Sequence, residues 1–224
     1  MLLPIRRNQI MLRGHSRVLR VVLCATLLPL FSLGLFAQEF SADLVQTGRS
    51  NSNGPTKIFV GKDKMRIEGS ERGQLGGGAM IIDFANQKTL MLMPAQKMYI
   101  ESMPNMGPKK KDIWFRADDP NNACPQFEAM AKKSNDGPVS CRKIGPDTVN
   151  GRAAIKYEGS SKNGTGYAWI DPKLRFLLKW EDIGKGNMVE LRNIQEGTQD
   201  PRLFEVPSDY HKFDMQQMQQ RRRP

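Results

Sequence analysis

Histidine is almost missing from this chain: 224 residues hold only His15 and His211. A zinc site built on paired histidines is therefore excluded, and no Ser/His/Asp set or Gly-x-Ser-x-Gly elbow can be assembled. His211 stands in a polar stretch near the C-terminus and reads as a surface residue. Phosphate loops are missing too, because Gly76-Gly77-Gly78 and Gly164-Thr165-Gly166 lack the Lys-Ser/Thr and strand-to-helix context, which leaves them as hinges or turns. Long apolar runs are scarce. The longest covers residues 21–36, 16 residues interrupted by Pro29, which falls short of the roughly 20 needed to span a bilayer. No acidic residue precedes Glu39.

What fills that N-terminal stretch is export chemistry. Arg6, Arg7, Arg13, Arg17 and Arg20 form a positive n-region, the apolar run follows, and Ala37 is the best cleavage position. Residues 1–37 are expected to be a signal peptide taking the chain to the periplasm or outside the cell. Leu35 is larger than the preferred residue at the minus-three position, so an uncleaved N-terminal anchor is the alternative. The formal charge of +11 includes those five arginines, and the remainder carries +6. Beyond the leader, 38–213 is expected to form one domain and 214–224 a polar basic tail. Lys109-Lys110-Lys111 and Arg221-Arg222-Arg223 have no aromatic residues between them to stack on bases, which argues against nucleic acid as a partner. Basic ends of this kind fit a solvated tail or peripheral contact with anionic lipid.

Two of the three cysteines lie beyond the leader. An even count in an exported protein favours a Cys124–Cys141 disulfide over a metal site or free thiols.

Strand signals dominate the rest. Phe40, Ala42 and Leu44 alternate with polar neighbours, and runs at 57–60 and 64–68 form a hairpin around Gly61-Lys62-Asp63. Further runs fall at 79–84, 89–93 and 97–101, then at 153–158, 166–171, 175–181 and 188–196. A long loop is expected at 104–111. Residues 125–133 make the best helix, with Phe127, Met130 and Ala131 on one face, so the disulfide would fasten that helix to the sheet. A short extended piece is expected at 203–207, and a final helix or frayed tail at 210–220. The fold class is mainly β.

Asp118-Asp119 precede Pro120 and suit a turn or helix start better than two carboxylates facing one substrate. Thirteen methionines are many for this length. They are scattered through apolar strands, which fits core packing or an adaptable cavity lining better than a copper site. Thr89-Leu90-Met91-Leu92-Met93 and Met98-Tyr99-Ile100 are apolar on both faces, so something must cover each face. A closed, packed small barrel and a barrel with a ligand cavity fit this equally.

Four motifs occur in order. They are Lys57-Ile58-Phe59-Val60-Gly61-Lys62-Asp63-Lys64-Met65-Arg66-Ile67-Glu68, Met93-Pro94-Ala95-Gln96-Lys97-Met98-Tyr99, Trp169-Ile170-Asp171-Pro172-Lys173 and Phe204-Glu205-Val206-Pro207-Ser208-Asp209-Tyr210. Together they resemble an uncharacterised family of exported bacterial proteins related to the LolA/LolB lipoprotein-carrier superfamily. The resemblance implies a strongly curved antiparallel sheet, an incomplete or half barrel with one or two short helices, enclosing an apolar cavity for acyl chains. Arg66 lies on a strand matching the one that bears the carriers' gating arginine, and an outward, solvated arginine fits it equally. The functional expectation is a non-enzymatic periplasmic protein, without a cofactor, that binds a lipid or other amphiphile. Ile58, Val60, Met65, Ile67, Leu90, Leu92, Tyr99, Trp169 and Leu177 are the candidate cavity lining. The alternative is an envelope scaffold or stress protein that binds another protein through the same surface.

Overall fold

Among the described residues twelve strands join in one sheet, and every neighbouring pair but one is antiparallel. The computed structural model describes residues 39–48, 56–69, 77–102, 116–133 and 138–213, all within one compact unit, Leu35–Pro224. The leader 1–37 with its cleavage position, the loop at 104–111 and the tail 214–224 lie outside the described residues.

The first half is a meander: β1 (Phe40–Thr47), β2 (Thr56–Val60), β3 (Lys64–Glu68), β4 (Ala79–Asp83), β5 (Lys88–Met93) and β6 (Met98–Glu101). After α1 (Cys124–Lys133) a second meander follows: β7 (Ser140–Val149), β8 (Arg152–Ser161), β9 (Gly164–Asp171), β10 (Phe176–Asp182) and β11 (Asn187–Glu196). β11 pairs with β1 and so joins the two halves into a single surface. The sheet is curved and stays open, with β7 at one edge and β12 (His211–Lys212) at the other. Register shifts in β11 opposite Ser41/Asp43, in β7 at Lys143/Gly145 and in β10 at Leu177/Lys179 add local bends to the ordinary strand twist.

The sequence explains most of these boundaries. Asn150 and Gly151 both take positive φ, the geometry of the tight hairpin turn that Asn-Gly favours, and they connect β7 to β8. Asp171 ends β9 by accepting the Lys173 and Leu174 N–H groups on Oδ1, at 2.7 and 3.0 Å. Its Oδ2 takes the Arg152 guanidinium, with Nε at 2.8 Å and Nη2 at 2.7 Å. This buried carboxylate is thereby fully partnered, as burial of a charge requires.

Two sequence expectations fail locally. The piece at 203–207 is not extended throughout, because Pro201–Phe204 is a 3-10 turn whose first residue follows the capping carboxylate of Asp200. Of the helix or frayed tail expected at 210–220, residues 211–212 instead form β12, which adds to β6 in parallel, and 214–220 lie outside the described residues. Both outcomes have one cause. This C-terminal segment crosses the outer side of β4–β6, where Phe204 packs with Ala79, Ile81, Leu90 and Leu92. Gly61 makes room for it, since a Cβ there would stand 3.0 Å from the Phe204 ring. Chain far downstream therefore covers the second apolar face of the strands.

Candidate functional site

Strand alternation sorts the nine candidate residues onto two faces. Through the pairs Ile58/Ile67, Val60/Met65 and Met65/Ile82, the first four share one face, and Leu44/Leu191, Val189/Trp180, Trp180/Ala168 and Ala168/Tyr157 carry that face across to β8. Leu177, paired with Ile170, belongs to it too. Ile58, Val60 and Met65 are buried there against Phe40, Leu44, Phe176 and Leu191, with Ile67 beside them. Leu90, Leu92 and Tyr99 lie on the other face under Phe204. So does Trp169, which packs with Val149, Ala154 and Leu178. Its indole N–H donates to Asp147 at 2.7 Å, while Lys156 and Lys179 place their ammonium groups 4.7 and 4.6 Å from its ring centre. The nine therefore line no common space, and Leu177 alone borders the larger open groove.

That groove, of about 850 Å3, runs between α1 and the strands β8–β11. Cross-strand register lays it out in rows. The innermost is Leu177, whose row runs on into Ile170 and Ile155 of the core; next come Tyr157, Ala168, Trp180 and Val189; then Gly159, Gly166 and Asp182; and last Ser161 and Gly164 at the hairpin tip. Three steps of two residues make about 20 Å along the strands. The floor is low because Gly159, Gly166 and Ala168 carry little or no side chain. A Cβ on Gly166 would stand 2.8 Å from the Glu181 carbonyl oxygen, so this position accepts only glycine without a shift.

The helix wall presents Phe127, Met130 and Ala131, the face expected from the sequence. Several contacts fix its position. The Cys124–Cys141 disulfide joins α1 to β7 with 5.3 Å between Cα atoms. The Phe127 ring meets Tyr157 edge-on at 6.0 Å. The Tyr157 hydroxyl accepts from the Ala123 N–H at 3.4 Å and donates to the Pro120 carbonyl at 2.7 Å. Burial raises the pKa of this phenol, which therefore keeps its proton and its donor role at neutral pH. Gln126 bridges the Asp118 N–H and the Arg116 carbonyl, and Asp119 accepts from Asn121 N–H at 2.8 Å, so the paired acids build a turn.

Polarity changes along the groove. Its inner part is hydrocarbon and aromatic ring; its outer end meets Ser161, Asn163, Asp182 and Lys185. Among the described residues that line it there is neither a histidine nor a free thiol, since Cys141 is in the disulfide. Among the described residues no group of three or more His, Cys, Asp or Glu is placed to hold a metal, and no helix is long and apolar enough to cross a membrane. His211 is exposed on β12. Arg66 is committed to Glu68 at 2.9 Å and to the Leu203 carbonyl at 3.0 Å.

No protein-family model matches the chain, and no curated protein matches it. Solved structures do. An uncharacterised conserved protein from Thermus thermophilus is similar over 79% of this chain and 90% of its own, at 15% identity and TM-score 0.50. The complex of MucA and MucB from Pseudomonas aeruginosa matches 78% of this chain and 57% of that one, at 12% identity and TM-score 0.48. A LolA superfamily protein from Nitrosomonas europaea matches 75% and 89%, at 7% identity and TM-score 0.29. The likeness is one of fold. None of the described residues that line the groove falls in the four motifs. Gly159, Gly166, Ala168, Trp180 and Val189 escaped them, although glycine inside a strand is a standing signal of close approach or of space kept open.

Proposed function

We propose that this is a non-enzymatic protein of the cell-envelope space that holds the apolar chain of an amphiphile in the groove between α1 and β8–β11. The observation that carries the reading is the glycine- and alanine-floored groove itself, about 850 Å3 and apolar at its inner end. Its size falls in the usual range for small-molecule sites. About 14 buried methylenes would contribute about 11 kcal/mol. Association costs at least about 4 kcal/mol, which leaves a dissociation constant on the order of 10 µM. The leader-like N-terminus and the disulfide support an exported location.

Native mass spectrometry with organic extraction of protein purified without detergent tests the reading. Recovery of a lipid or fatty acid in stoichiometric amount is expected, and its absence together with failure of fluorescent fatty-acid probes to bind removes the proposal.

A second reading, a scaffold that takes a protein segment on the same surface, is favoured by one feature. β7 borders the groove through Cys141 and leaves its outer edge unpaired among the described residues. That edge is blunted by its bulge, Lys143 and Pro146, devices that discourage strand addition. Co-purification of a stoichiometric protein with no extractable lipid would favour this second reading.

A further inference from the structure

The groove has a direction, and its polar end has a charge pattern. At the inner end Leu177 and Tyr157 close it with apolar surface; at the outer end stand the β8–β9 turn and the β10–β11 hairpin. Asp182 shares the groove-facing row with Gly166. Lys185, three residues on, donates its backbone N–H to Asp182 Oδ1 at 3.0 Å and holds its ammonium 3.6 Å from Oδ2. Among the described residues that line the groove, Lys185 is the only cation. The other bordering acid, Glu158, lies by alternation on the opposite face and is hydrogen-bonded to Arg142 at 3.0 Å. The outer end thus offers one carboxylate and one ammonium side by side, neutral as a pair. The Ser161 hydroxyl, which accepts the Asn163 N–H at 3.1 Å, keeps its own hydrogen to donate.

We propose that the amphiphile enters tail-first and that its head is zwitterionic, an ammonium meeting Asp182 and a phosphate meeting Lys185 and Ser161. This rests on the groove being the binding site. A purely anionic head would bring its charge to the Asp182 carboxylate with only a shared ammonium to offset it. A purely cationic head would meet the Lys185 ammonium. A zwitterion exchanges one ion pair, in which the Lys185 side chain is largely exposed and the Asp182 side chain largely buried, for two.

The test keeps the tail constant and varies the head. Calorimetric titration of the full chain uses dodecylphosphocholine, dodecyl maltoside, dodecanoate and dodecyltrimethylammonium, each below its micelle-forming concentration. Dodecylphosphocholine is expected to bind tighter than dodecanoate and than dodecyltrimethylammonium by about five-fold or more. Asp182→Asn and Lys185→Gln, each with an unchanged circular dichroism spectrum, are expected to reduce that preference to within about two-fold. Equal binding of all four amphiphiles, tightest binding of dodecanoate, or a preference that survives both substitutions overturns the zwitterion proposal while leaving an apolar groove intact. Binding of none of them overturns it together with the reading beneath it.

Discussion

Removing the disulfide should separate what the helix contributes from what the sheet contributes. The α1 helix has ten residues, too few to be stable alone in water. It is held by Cys124–Cys141, the Phe127–Tyr157 edge contact, the Gln126 bridge and a 3.3 Å hydrogen bond from the Cys141 N–H to Glu128. The cysteines are 17 positions apart, and closing a loop of that size stabilises the native state by about 3 kcal/mol in the chain-entropy model. For a domain of this length that corresponds to a fall of about 6–12 °C in Tm. The perturbation is Cys124→Ala with Cys141→Ala, compared with the oxidised parent by urea unfolding followed through tryptophan fluorescence. Amide exchange adds the local readout. Protection should drop across Cys124–Lys133 and persist in the β8–β9 ladder, because β8 and β9 are paired over seven positions without the helix. A stability change below about 1 kcal/mol, or equal loss of protection in helix and sheet, would refute the view that the disulfide pins an otherwise marginal helix onto the groove.

The floor glycines should differ in kind. Gly166→Ala forces a Cβ to 2.8 Å from a backbone oxygen and should cost about 1–3 kcal/mol, whereas Gly159→Ala, whose Cβ would meet Val139 at 3.6 Å, should be neutral or slightly stabilising in the same melts; equal effects would contradict the geometry. Asp171→Ala removes one of the two carboxylates on the half-buried Arg152 guanidinium, leaving Glu196, and strands two backbone N–H groups, and a loss of about 2–4 kcal/mol in chemical denaturation is expected. Hydrogen bonds from Lys173 and Arg152 hold the Glu196 carboxyl below its ordinary pKa. Burial would raise Asp83, yet hydrogen bonds from Asn86 and the nearby Lys64 and Lys88 outweigh it and lower that carboxyl as well. Depressed carboxylates stabilise the fold above the unfolded pKa near 4 and lose that contribution as pH falls through the folded value. Thermal midpoints should therefore hold steady from neutral pH down to about 5 and fall below it, and Glu196→Gln should make the acid fall shallower. An unaltered slope in that variant would count against the pairing.

Local chemistry made much of the fold legible. Alternating Phe40, Ala42 and Leu44, the Gly61-Lys62-Asp63 turn and the Asp171-Pro172 corner are decided within a few residues, and the strands stand where those signals put them. Cys124 and Cys141 were legible from count and compartment logic. β7 was harder. Only its start at Cys141 could be read, because Gly145-Pro146 interrupts the pattern, and a strand tolerates that pair only at an edge with a bulge. The C-terminal segment was misread for a different reason: its conformation is set by the distant surface of β4–β6, which no window around Phe204 contains. The groove suffered most from this non-locality. Two-faced apolar strands announce that both faces are covered without saying by what, so a lining chosen by hydrophobicity mixed the two faces. Small residues at matched positions on β8 and β9 make the space, and they become neighbours only once the register is known.

An acyl chain bound in this groove should be excluded when the groove is filled. Ala168 is half-buried on the floor beside Trp180, so Ala168→Phe places a ring where the chain would lie without crowding the core. Competition fluorescence with an environment-sensitive acyl probe should give a dissociation constant on the order of 10 µM for the parent. It should weaken at least about ten-fold in Ala168→Phe, with Tm unchanged. Equal affinity in the two proteins, or no probe binding to the parent, would contradict the account.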